Sequence, residues 1–94
     1  MGLVSTEKTV TMEQAARVGA RVAGVSALVT TLEEQLALLV GEAREVYAPT
    51  LALLAGDLRM ALRDAQPKLE RAETSAAELI ARVVRDEALA RAEA

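Results

Sequence analysis

From Ala15 onward, apolar residues recur at Ala15, Val18, Val22, Val25, Val29, Leu32, Leu36 and Leu39, a strict alternation of three- and four-residue steps. That spacing is the a/d row of a heptad helix, the stripe that two helices bury between them. Thr11 followed by Gln14 supplies a capping box, in which the threonine hydroxyl accepts from the third helical N–H and the glutamine reaches back. A first helix is therefore predicted over about residues 12–40. Gly19 and Gly24 fall inside it, each costing about 1 kcal/mol against alanine, and are expected to permit close packing rather than to end the helix.

A second row runs Leu51, Ala55, Leu58, Leu62, Ala65, Leu69, Ala72, Ala76, Leu79, Val83 with the same spacing. It passes through Pro67, which removes one helical hydrogen bond and crowds the preceding turn, so a kink or a break is expected there. The unchanged phase across Pro67 favours a kink in one helix over about residues 43–88. A break would instead give three helices, near residues 12–40, 43–65 and 67–89.

Between the two rows stands Gly41, suited to the left-handed residue that ends a helix. With the turn at about residues 41–43, Glu42 and Glu45 would meet the positive end of the second helix dipole. Pro49 leaves another arrangement open, in which the second helix starts at that proline after a looser connection over residues 42–48. Residues 1–10 are expected to be flexible and residues 89–94 to fray, with the hairpin spanning 11–88.

The predicted fold is all-α: an antiparallel helix-turn-helix hairpin whose seam is Val18, Val22, Val25, Val29, Leu32 and Leu36 against Leu51, Leu58, Leu62, Leu69 and Leu79. Two helices cannot cover their own stripes. Leu28, Leu38, Val40, Leu53, Leu54, Met60, Ile80 and Val84 widen them toward a further neighbour, so pairing into a dimeric four-helix bundle is expected, with an identical or a similar hairpin as partner.

Composition narrows the chemistry. Histidine, cysteine, tryptophan and phenylalanine are absent and Tyr47 is the only aromatic, so thiol chemistry, disulfides and zinc sites cannot be built from this chain alone. No catalytic, cofactor-binding or metal constellation is evident, and the protein is expected not to be an enzyme. The net charge of −3 argues against a nucleic-acid partner, which needs a basic face. The longest uncharged stretches, residues 22–32 and 46–56, are 11 residues each, against the roughly 20 that a bilayer span requires, so no integral membrane segment is expected. The N-terminus lacks a basic region followed by an apolar core, so no conventional signal peptide is expected either.

The central segment, Leu39, Gly41, Ala43 and Tyr47, resembles the turn motif of the WXG family of small early-secreted-antigen proteins of type VII secretion. In that pattern a tryptophan precedes the glycine by two places, with a small residue and an aromatic after it; here leucine replaces the tryptophan. Length, acidic charge, a longer second helix and an alanine- and arginine-rich, actinobacterial-looking composition extend the resemblance. Val83 and Glu87 stand where the family's C-terminal export element, tyrosine followed four residues later by an acid, would lie, though the tyrosine is missing. What the resemblance implies is a non-enzymatic secretion substrate or co-secreted partner. It would be cytoplasmic before export, secreted without a conventional signal, and recognised by a type VII secretion ATPase. The rival reading from the residues alone is a cytoplasmic structural or adaptor coiled-coil module that dimerises.

Overall fold

A computed structural model describes residues 10–93 of the chain; the expected flexible segment 1–10 falls, apart from Val10, outside them. Two helices, α1 (Met12–Glu45) and α2 (Pro49–Glu93), lie against each other as an antiparallel hairpin. The predicted cap forms: Gln14 N donates to Thr11 Oγ1 at 3.1 Å and Thr11 N to Gln14 Oε1 at 3.0 Å. These two bonds satisfy donors that have no partner within the helix, and they set its start at Met12.

The hinge lies further along than the glycine suggests. α1 continues helically through Gly41, and no glycine among the described residues has positive φ. It is Tyr47 that turns left-handed, at φ 57°. Around it Ala48 N donates to Ala43 O at 2.8 Å and Tyr47 N to Arg44 O at 3.2 Å. A six-to-one bond enclosing a five-to-two bond, with a left-handed residue after the cap at Val46, is the Schellman ending of a helix. Pro49 then opens α2 at the position where its missing N–H costs nothing. Glu42 and Glu45 accordingly sit at the end of α1, not in the first turn of α2. The turn at residues 41–43 is thereby corrected in favour of the start at Pro49.

α2 runs unbroken through Pro67 to Glu93, so the chain is not a three-helix unit and residues 89–93 are helical. The particle measures 69 × 26 × 18 Å with a radius of gyration of 20.8 Å, against about 12 Å for a compact chain of this length.

The buried set is small in number and in side-chain size: Ala15, Leu36, Ala43, Ala55, Ala76 and Val83. It rests on one heptad row from each helix, Ala15, Val22, Val29, Leu36 and Ala43 on α1 and Ala55, Leu62, Leu69, Ala76 and Val83 on α2. Apart from Ala43, expected in the turn, both rows belong to the predicted seam. The second row of each helix does not. Four residues on from the first row, Gly19, Ser26, Glu33 and Val40 turn inward on α1, with Arg59, Gln66 and Ile80 on α2 and Ala52 one heptad before Arg59, all half-buried; Glu73 of the same α2 row is exposed. The predicted partners three residues on, Val18, Val25, Leu32, Leu51 and Leu58, are exposed.

The reason is steric and polar. A Cβ on Gly19 would lie 3.0 Å from Ile80 Cδ1, so the backbone of α1 packs tightly against the tip of that α2 side chain, while Gly24 has open space around it. Glu33 and Gln66 meet across the helices, with Gln66 Nε2 donating to Glu33 Oε1 at 2.6 Å. Small residues and this matched polar pair let the axes close, whereas the branched side chains three residues on would hold them apart.

Candidate interaction surface

Rotating the seam by one position carries the displaced apolar rows somewhere definite. In a right-handed helix the residue three positions on lies about 60° to one side of the first row, and the residue four positions on about 40° to the other. Reversing the second helix mirrors that sense, so the displaced rows of α1 and α2 come to the same side of the hairpin. Consistent with this, the four-on residues Val40, Ala52 and Arg59 line one shared groove on the opposite side, together with Arg44, Leu53 and Met60.

The first side is an apolar face. Val18, Val25 and Leu32 of α1 and Leu51 and Leu58 of α2 run along it, flanked by Leu28 and Leu54, with Leu28 70% and Leu58 57% exposed. Of the predicted row only Leu39 and Leu79 are half-covered. Contiguous apolar surface of this kind marks an interaction site on a soluble protein. The second side carries a shallow groove of about 550 Å³ near the turn, floored by Val40, Leu53 and Met60 and rimmed by Arg44, Arg59 and Arg63.

Total exposure agrees. The chain exposes 7510 Å², while an ordinary folded chain of its mass exposes about 5200 Å². Residues 1–9, at the unfolded limit of about 1.45 Å² per dalton, would account for less than two thirds of the difference.

The resemblance-derived positions are dispersed. Leu39 is half-buried in the hairpin, Gly41 is an exposed helical residue and Ala43 is buried beneath the turn. Only Tyr47 lies in the hinge, 91% exposed, so it does not cap the hairpin end with its ring. Val83 is a core residue at 4% exposure and cannot be read from outside the folded hairpin. Glu87, one turn on, is half-exposed and 3.9 Å from Arg91. The contacts of Gly19 with Ile80 and Glu33 with Gln66 put Met12 level with Glu87, so residues 88–93 of α2 run past the start of α1.

No group of three or more metal-binding side chains gathers among the described residues. One property of α1 bears on membranes. α1 contains an 18-residue window of mean hydropathy 1.3 with at most two charged residues, long and apolar enough to cross a bilayer by those measures. Glu33 and Glu34 interrupt the apolar pattern of that window, which keeps its uncharged runs short. Glu33 is engaged by Gln66 of α2, and carboxylates within a span are costly and rare.

The fold defines a class, the two-helix antiparallel hairpin with an uncovered apolar face. No known protein family, curated protein or solved structure matches this chain.

Proposed function

We propose that the chain is a non-enzymatic structural or adaptor module that works by self-association, its apolar face being the working surface. The observation that carries this reading is the rotated seam. The hairpin closes on one heptad row from each helix, with Leu36 and Val83 among its buried residues and glycine and a polar pair beside it, while the valine and leucine rows three residues on stay exposed on one side. Rows of that regularity, left out of the hairpin's own contact, fit helices that complete their core with another chain.

The test places one charge on each side. Leu32→Glu or Leu58→Glu should reduce the mass seen by sedimentation to that of one chain, with the helical circular dichroism retained at high protein concentration. Met60→Glu, on the grooved side, should leave the assembly intact. A wild-type chain that sediments as a single copy at micromolar concentration, or an assembly broken by Met60→Glu and unaffected by the leucine variants, overturns the reading.

A second reading, the type VII export suggested by the resemblance, draws support from one feature, the segment of α2 that extends past α1 with Glu87 at its base. In that reading this segment is the element recognised by the secretion ATPase. Val83 is excluded from the test because it is core. Unchanged secretion of a Glu87→Ala chain, or of one ending at residue 87, counts against it.

A further inference from the structure

The groove beside the turn has features that the hairpin's own packing does not use. It lies on the side away from the exposed valine and leucine rows, so covering that face leaves it open. Its lining carries three cations, Arg44, Arg59 and Arg63, against one carboxylate, Asp57, in a chain whose net charge is −3. None of the three arginines forms an ion pair or a side-chain hydrogen bond among the described residues. Nor does any of them have an acidic residue three or four places away on its helix. Arg59 and Arg63 are themselves four places apart, a like-charged spacing that destabilises a helix. Arg59 is also half-buried, on the inward-turned row of α2, where a long cationic side chain is uncommon without a partner.

Gly56 lines the same groove. Its φ is not positive, and nothing stands within 4 Å of the place a Cβ would take. Neither backbone conformation nor packing calls for glycine there, and it is a poorer helix former than alanine. What the missing side chain provides is room in the groove.

The dimensions select the occupant. A volume of about 550 Å³ falls within the roughly 300–1000 Å³ of small-molecule sites. Along α2 the lining runs from Pro49 to Arg63, about 21 Å at the helical rise, so the mean cross-section is about 26 Å². A helix about 10–12 Å across, side chains included, needs about 80 Å² or more. A partner helix would rest on the rim without reaching the floor, whereas a single alkyl chain can lie lengthwise in it.

We infer that the groove binds a free single-chain anionic amphiphile, an alkyl chain ending in a carboxylate or a phosphate. The chain lies on Val40, Leu53 and Met60 and the head meets the arginines. Guanidinium forks match the oxygens of either head group, and the bound anion supplies the counter-charge that these arginines lack within the chain. The inference stands on the grooved side alone and does not rest on self-association through the other face.

The test titrates laurate and dodecyl phosphate, each below its micelle concentration, into the full chain by calorimetry. Both should bind saturably, one per chain, and dodecyltrimethylammonium, the same alkyl chain with a cationic head, should not. Arg59→Gln with Arg63→Gln should weaken laurate binding about tenfold or more. Lys68→Gln with Arg71→Gln removes the same charge outside the groove and should leave the affinity unchanged. Gly56→Ala should weaken binding while raising the urea midpoint, which separates a filled groove from a damaged fold. Met60→Glu should abolish laurate binding with sedimentation unchanged, so that loss of ligand is not loss of assembly. Failure of both anionic amphiphiles to bind, equal binding of the cationic one, or an affinity untouched by the arginine substitutions overturns the proposal. Binding to phosphatidylglycerol vesicles without binding of either free amphiphile overturns it too, and assigns the arginines to a membrane surface. Retained helical circular dichroism in each variant shows that the comparison is made on folded protein.

Discussion

Replacing Gly41 with alanine distinguishes a turn at the glycine from the turn seen at Tyr47, because the two predict opposite signs. In the structure Gly41 is helical, exposed, and surrounded by open space where a Cβ would stand. Alanine there meets no neighbour and gains helix propensity of about 0.8–1.0 kcal/mol in a helix interior. Gly41 sits little more than one turn from the end of α1, where fraying reduces the gain, so a stabilisation of about 0.5–1 kcal/mol is expected. Were Gly41 the left-handed residue of the hinge, alanine would instead cost about 1–2 kcal/mol. Urea unfolding followed by circular dichroism reads the difference. With a slope near 1 kcal/mol/M, the low end for small proteins, the midpoint should rise by about 0.5–1 M. Wild type and variant must be compared at one protein concentration, because association couples to stability. A midpoint that falls by a similar amount would refute the helical assignment of Gly41 and the hinge position drawn from it.

Further substitutions address the hinge and the seam, each read by the same unfolding assay. Tyr47→Gly should stabilise by about 0.5–1 kcal/mol, since it relieves a left-handed non-glycine residue and removes a ring that buries almost nothing; a loss of stability would contradict the Schellman ending. Gly24→Ala should gain about as much as Gly41→Ala, whereas Gly19→Ala should gain less or lose, because its Cβ meets Ile80 Cδ1 at 3.0 Å. Equal gains at the two sites would refute the close approach at Gly19. A double-mutant cycle on Glu33→Ala and Gln66→Ala should show a coupling of about 0.5–1.5 kcal/mol, and strict additivity would deny the bond between the helices.

The helical hairpin was legible because heptad periodicity is strong on both sides of the centre and the Thr11–Gln14 cap is unambiguous. Which flank of each stripe faces inward was not, and the difference decides the candidate site. Periodicity finds the most apolar pair of rows, and on each helix those are the first row and the residues three positions on, such as Val25 and Leu58. The hairpin contact instead selects residues four positions on. There Gly19 admits Ile80 and Glu33 meets Gln66, and neither pair is visible until the two helices are set in register. The hinge was misplaced for a related reason. Glycine is the usual left-handed residue at a helix end, and here a tyrosine takes that conformation while Gly41 remains helical. The alternative of a second helix beginning at Pro49 was readable from the proline alone, since that residue fits the first helical position and little else in a hairpin.

Absolute molar mass by light scattering, over a dilution series through the micromolar range, tests the central claim most directly. Twice the chain mass of 9.9 kDa is the predicted result, with dissociation on dilution accompanied by loss of helical signal or by a more extended single chain. A stable particle of one chain mass across the whole series, fully helical and binding no second copy, would contradict the claim that the exposed valine and leucine rows are an interface.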